Sequence, residues 1–270
     1  MNKIGLFGGG FQHAYSSTLW KHPSFFKWEK NSSCEYNCFI DEAIVANINT
    51  PIKKFAWLVE NSETIEKYTG TISKVIENAE EISKAYDFVL SHDKRLYSLA
   101  PNFYYLPSIG TWIETPRIYK KNKLCSMTCS NQRQLTGHDF RLQWAKKLIN
   151  KVDLYGRGIN PFNKKEDALC DYMFSVTIES AQYETYFTEK LLDCFATGTI
   201  PIYHGAPDIS KHFNMDGIII LTENFDPSQL SPELYLSKEN AILDNLNRVL
   251  KYNTIEDWIW ERFIKKHENI

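Results

Sequence analysis

Six side chains able to do chemistry, Glu179, Ser180, Tyr186, Thr188, Glu189 and Lys190, lie close together in the third quarter of the chain. The apolar run 173–178 before them, with Phe174, Val176 and Ile178 alternating, reads as a buried strand. Thr188 stands where an N-cap belongs, ahead of Leu191, Leu192, Phe195 and Ala196 at helical spacing. Gly198 stops that helix, and 200–203 reads as the next strand. Such a β-loop-α-β unit places ligands at the carboxyl ends of its strands. A helix N-terminus offers free N–H groups and the positive end of the dipole, which suits a nucleotide diphosphate. Lys190 adds a charge that is unfavourable in a first turn unless an anion compensates it, and Glu189 can accept hydroxyls of a ribose or a sugar. Each residue also has a plainer account: Glu189 as an acid favoured by the dipole, Tyr186 as core, Glu179 as the residue that orients the loop.

Two arginines compete to hold such a diphosphate through bidentate hydrogen bonds. Arg141 lies one turn into a helix expected over 139–150, and Arg157 follows a strand expected at 152–155. A surface ion pair is the alternative for either. Glu60 follows the buried run 54–59 at its carboxyl end, the place where a doubly wound sheet presents catalytic groups. His92 closes a further strand at 88–90. Gln12 and His13 follow glycines 8–10 after a strand at 3–7, and mark either the wall of an acceptor cleft or a tight turn. His92, His138 and His204 read as hydrogen-bonding or rim residues, since no two share metal-ligand spacing.

A chain of 270 residues is one large or two ordinary domains, and 43% hydrophobic with 14% aromatic residues supplies a sizeable core. A net charge of −2 argues against a dedicated nucleic-acid binder. The six cysteines form no Cys-x-x-Cys pair, so reduced, buried thiols in a cytoplasmic protein are expected and no metal site is. No run reaches transmembrane length, and the start lacks the basic and apolar regions of a signal peptide.

Strands and helices alternate, which argues for parallel sheets in α/β style. Residues 20–37 read as loop and short helix, 38–44 as either strand or helix, and 62–85 as a helix interrupted at Gly70. A Pro/Tyr-rich passage at 101–116 breaks the pattern, placing a boundary between domains 1–118 and 119–270. Tail helices are expected at 238–251 and 255–266. Trp258, Trp260 and Phe263 of the last one either pack it back across the two domains or touch a membrane surface peripherally.

Glu179 through Lys190, followed by Thr-Gly-Thr-Ile-Pro-Ile-Tyr-His-Gly at 197–205, resembles the donor motif of the family 10 glycosyltransferases. That motif runs Phe-Glu-Asn-Ser, a short gap, Tyr-Val-Thr-Glu-Lys, then Gly-x-(Val/Ile)-Pro-(Val/Ile)-Tyr-Trp-Gly. The spacing from Glu179 to Glu189 matches without a gap. Ser180 stands at the family's Asn and His204 at its Trp. The resemblance implies a GT-B fold, two Rossmann-like domains with an inter-domain cleft and closing C-terminal helices. It implies an inverting, metal-independent α-1,3/α-1,4-fucosyltransferase of the soluble microbial or viral kind, moving fucose from GDP-fucose to a glycan hydroxyl. The family's general base is a Glu followed by Asn, and Glu60-Asn61 is the local match. A related enzyme with another nucleotide-sugar, or a non-catalytic carbohydrate- or nucleotide-binding relative, stays open beside it. The acceptor and the oligomeric state are not written in the sequence.

Overall fold

Runs of apolar residues too short for helices build two sheets in which every strand pair is parallel. The computed structural model describes residues 1–9, 16–18, 21–106, 109–130, 136–252 and 254–267. Gln12 and His13 lie outside the described residues. Parallel strands are covered on both faces by helices, which is why they read as continuous apolar stretches.

The first unit comprises 1–110 together with 254–270. Its strands are β1 (Asn2–Phe7), β2 (Phe26–Lys30), β3 (Tyr36–Ile40), β4 (Lys54–Leu58), β5 (Val89–Ser91) and β6 (Phe103–Tyr105), in the order β2-β1-β3-β4-β5-β6. Its helices include α1 (Ala43–Ala46), α2 (Ser62–Thr69), α3 (Thr71–Glu77) and α4 (Ala79–Ala85). All five residues of β4 are buried, Lys54 included. The Lys54 ammonium is tolerated there because it donates to the carbonyls of Asn47, Ile48 and Thr50 at 2.7, 2.9 and 2.6 Å.

Three expectations change in this unit. The single helix at 62–85 is three helices, broken where Gly70 takes a left-handed φ of 62° and again at Asn78. Residues 20–37 contain β2, whose Phe26 and Trp28 point inward from an edge strand. The C-terminal helix α10 (Ile255–Arg262) belongs to this unit rather than to the second. Trp260 stacks near Phe25 and Phe26, each with ring centroids 5.8 Å away, and Phe263 lies 5.1 Å from Phe88. Buried Glu256 accepts from the Ser17 N–H and from Trp28 Nε1. Aromatic burial with these polar ties fixes the tail there.

The second unit spans 111–253, beginning before the expected boundary at 118. Its strands are β7 (Lys123–Thr128), β8 (Asp153–Tyr155), β9 (Tyr172–Ile178), β10 (Ile200–His204) and β11 (Ile219–Ile220), in the order β11-β10-β9-β7-β8. Its helices are α5 (Thr136–Lys147), α6 (Glu166–Leu169), α7 (Glu189–Thr197), α8 (Pro232–Leu236) and α9 (Glu239–Val249). Helix α7 is buried at every position except Lys190, and Gly198 ends it with a φ of 71°. A helix buried all round is held in one place, so what projects from its first turn is held as well. No helix among the described residues is long and apolar enough to cross a membrane.

Candidate donor site and a carboxylate cluster

Strand β9 delivers Glu179 at its carboxyl end, and Thr188 caps α7 by accepting from the Lys190 N–H. Glu179 binds Thr188 twice: Oε1 accepts its N–H at 2.9 Å and Oε2 its hydroxyl at 2.7 Å. The Lys190 ammonium donates to Thr188 Oγ1 and Glu189 Oε1, both at 3.1 Å, and lies 3.7 Å from Glu179 Oε2. Burial raises the pKa of Glu179. Burial would do the same to Glu189, but the Lys190 and Lys165 ammonium groups hold it down to about 2. Against its own burial, Lys190 is raised by Glu189 and Glu179. The site therefore contains an ion-paired cation at a helix N-terminus, suited to an oxyanion.

Two glycines let backbone and side chains close on this point. A Cβ on Gly205 would sit 2.7 Å from Glu179 Cγ, and one on Gly137 would sit 2.5 Å from the Glu179 carbonyl oxygen. Tyr203 Oη accepts the Ala206 N–H at 3.0 Å, and buried Asp208 accepts the N–H of Thr185, whose φ is 68°. The turn after β10 thus braces the loop between β9 and α7.

Helix α5 brings Arg141 to the same place. Its Nε and Nη2 donate to the Ile178 carbonyl at 3.1 and 2.7 Å, which leaves Nη1 for another acceptor. His138, one turn earlier, has a pKa lowered by burial and then by the charges of Arg141 and Lys190. Arg157 is exposed beyond edge strand β8, two strands from β9, and makes no ion pair with this cluster among the described residues. Ser180 Oγ shares a 2.9 Å hydrogen bond with Tyr186 Oη, and Tyr186 stacks on Tyr183 at 4.7 Å. His204 lies 4.3 Å from the Phe140 ring, so it supplies an aromatic face where the family pattern has Trp.

In the first unit the carboxyl ends of β3, β4 and β5 carry Asp41, Glu60 and His92. Glu60 is exposed, and its Oε1 accepts the Asn61 N–H at 2.7 Å. Its backbone is fixed from both sides. Asp41 Oδ1 accepts the N–H groups of Val59 and Glu60 at 2.9 and 3.4 Å, and His92 Nε2 lies 3.0 Å from the Glu60 carbonyl. Burial raises Asp41 to about 7 and lowers His92. Asn61 caps α2 by accepting from Glu63 N and Thr64 N. His92 is thus a buried support for the Glu60 turn. No three His, Cys, Asp or Glu side chains gather as a metal ligand set among the described residues.

Sequence reasoning did not single out Asp41, Lys165, Asp193 or Asp208. Asp193 alone left a signal, as a charge inside the otherwise apolar run 191–196.

A family model described as glycosyltransferase family 10 (fucosyltransferase), C-terminal, matches residues 118–252. The chain is 36% identical over 91 residues to the α-(1,3)-fucosyltransferase FucT of Helicobacter pylori, covering 33% of this chain and 19% of that protein. It is 34% identical over 79 residues to a fucosyltransferase-like protein of Arabidopsis thaliana, covering 27% of this chain and 15% of that one. The match thus spans about a fifth of the length of these relatives or less. A crystal structure of an α1,3-fucosyltransferase with GDP has a similar fold, at TM-score 0.51 and 16% identity, covering 99% of this chain and 90% of that one.

Proposed function

The chain belongs to glycosyltransferase family 10, and we propose that it moves fucose from GDP-fucose to a hydroxyl of a glycan acceptor, with inversion and without a metal ion. The observation that carries this reading is the Lys190 ammonium, held by Thr188 and Glu189 at the first turn of α7 inside the matched region. In this reading the α7 N-terminus, Lys190 and Arg141 take the diphosphate, neutralising the charge that grows on it as the glycosidic bond breaks. Glu189, kept ionised, accepts hydroxyls of the donor. Glu60 takes the proton of the attacking hydroxyl, and its exposed carboxylate on a braced backbone suits that task. A single in-line displacement by that hydroxyl inverts the anomeric centre, through a state with oxocarbenium character.

A different nucleotide-sugar is the second reading, favoured by Ser180 and His204. The Ser180 hydroxyl already bonds Tyr186, and it offers fewer donors and acceptors than an amide.

Calorimetric titration with GDP, UDP, GDP-fucose and GDP-mannose, each with and without EDTA, tests both readings. Binding confined to GDP and GDP-fucose and indifferent to EDTA is expected. Preference for UDP or for GDP-mannose would replace the donor, loss of binding in EDTA would end the metal-free mechanism, and no binding would leave a non-catalytic relative.

A further inference from the structure

Lys165, the residue before α6, places its Nζ 3.9 Å from Glu189 Oε1, the same oxygen that receives the Lys190 ammonium at 3.1 Å. Two ammonium groups therefore flank one carboxylate oxygen at the start of α7. Lys165 is also 3.9 Å from Asp193 Oδ2, and the ring centroid of Trp112 lies 5.5 Å from its Nζ. Both carboxylate distances exceed hydrogen-bond length. No other polar contact engages this nitrogen among the described residues, although the side chain is only 17% exposed. An ammonium with three donors, largely withdrawn from water and making no hydrogen bond among the described residues, is prepared for an incoming acceptor.

Two further observations agree. Asp193 is fully buried, and its Oδ2 has no hydrogen-bond partner among the described residues. Its Oδ1 is fixed by the Thr111 hydroxyl at 2.8 Å and the Trp112 N–H at 2.7 Å. Asp193 thus lies beneath Lys165, 3.9 Å from its Nζ, while leaving the ammonium hydrogens uncommitted. The second observation is the balance of charge. Lys190 is within 3.7 Å of both Glu179 and Glu189, so alone it presents little net positive charge to a multiply charged diphosphate.

We propose that Lys165 is a third cation of the donor pocket, beside Lys190 and Arg141, contacting the terminal phosphate of a nucleoside diphosphate, with Asp193 as its positioning residue. This rests on the donor reading given above for Lys190. It assigns the phosphate to two lysines from different elements, where the family motif contains only one of them.

The test is calorimetric titration of wild type, Lys165→Met, Lys165→Arg and Lys190→Met with GDP and with GMP, alongside thermal unfolding of each unliganded protein. Lys165→Met is expected to weaken GDP roughly tenfold or more, as loss of a charged hydrogen bond does. It should weaken GMP much less, and Lys165→Arg should restore most of the loss. GDP affinity unchanged in Lys165→Met would overturn the proposal. So would equal losses for GDP and GMP, since a purely structural lysine would move both together. If Lys190→Met weakens GDP and Lys165→Met does not, only this inference falls. If neither variant affects GDP, or wild type does not bind it, the donor reading falls as well.

Discussion

Glu179 and Thr188 are joined through both carboxylate oxygens, one to the backbone N–H and one to the hydroxyl, across the loop that separates β9 from α7. The bond fixes where α7 begins, and with it the position of Lys190. Glutamine at 179 keeps one acceptor but puts an amide N–H₂ where the second was, facing the Lys190 ammonium. Glu179→Gln is therefore expected to destabilise the protein by about 1–3 kcal/mol, the cost of a broken buried charged hydrogen bond. It should also weaken GDP binding. Denaturant unfolding and GDP titration check this, and an unchanged midpoint with unchanged affinity would refute the bracing role.

Gly205 is needed for a related reason. Its missing side chain leaves room for Glu179 Cγ, which a Cβ would approach to 2.7 Å, and for the Tyr203 ring. Overpacking at a filled site costs about 1–3 kcal/mol. Gly205→Ala should lower the unfolding midpoint by that amount and displace Glu179, reducing nucleotide affinity along with it. Wild-type stability in this variant would show that the turn after β10 gives way easily.

Asp41 makes a pH dependence visible. Burial raises its carboxyl from an ordinary 3.8 to about 7, ahead of the opposing N–H bonds from Val59 and Glu60. Between those values the folded protein holds a proton that the unfolded chain has released. Stability must then fall as pH rises through this window. Asp193, raised by burial from 3.8 to about 7, adds a second contribution of the same sign. Asparagine at 41 retains an oxygen for both N–H groups and cannot ionise. Asp41→Asn should show a shallower decline of melting temperature between pH 4 and pH 7, approximate limits set by those two values. Parallel curves for the two proteins would mean that Asp41 is ionised throughout the window.

The β9-α7-β10 unit was legible because local signals agreed: alternating apolar residues, a threonine cap and a glycine taking φ 71° at the stop. Where tertiary context decided, the sequence said less. Strand β2 buries Phe26 and Trp28 in alternation with Lys27, Glu29 and Lys30, a five-residue pattern easily taken for an irregular stretch. Nothing local tells α10 to return to the first unit; Trp260 and Phe263 need only an apolar surface, and the chain's path decides which one. At the site, Glu189 and Lys190 stood out by motif, whereas Lys165 follows Lys164 and reads as part of a solvated charge run. Asp41 and Asp208 were illegible because each acts on a backbone N–H of a residue distant in sequence.

Glu60 separates a transferase from a binding protein of the same fold. Among the described residues its Oε1 accepts only the neighbouring Asn61 N–H, a bond that glutamine can also accept, so Glu60→Gln should leave the turn and its support by Asp41 and His92 intact. The variant removes only the ability to take a proton. General-base catalysis contributes roughly 10²–10⁴-fold, and kcat should fall within that range while GDP affinity and melting temperature stay at wild-type values. The acceptor should bind as before, so KM should change little. Turnover by Glu60→Gln at the wild-type rate would move the base elsewhere, and Asp41, half-ionised near pH 7 on the adjacent strand end, would be the next residue to replace. A fall in kcat together with a lost melting transition would instead make Glu60 structural. That outcome is at odds with an exposed side chain that accepts the N–H of its own neighbour.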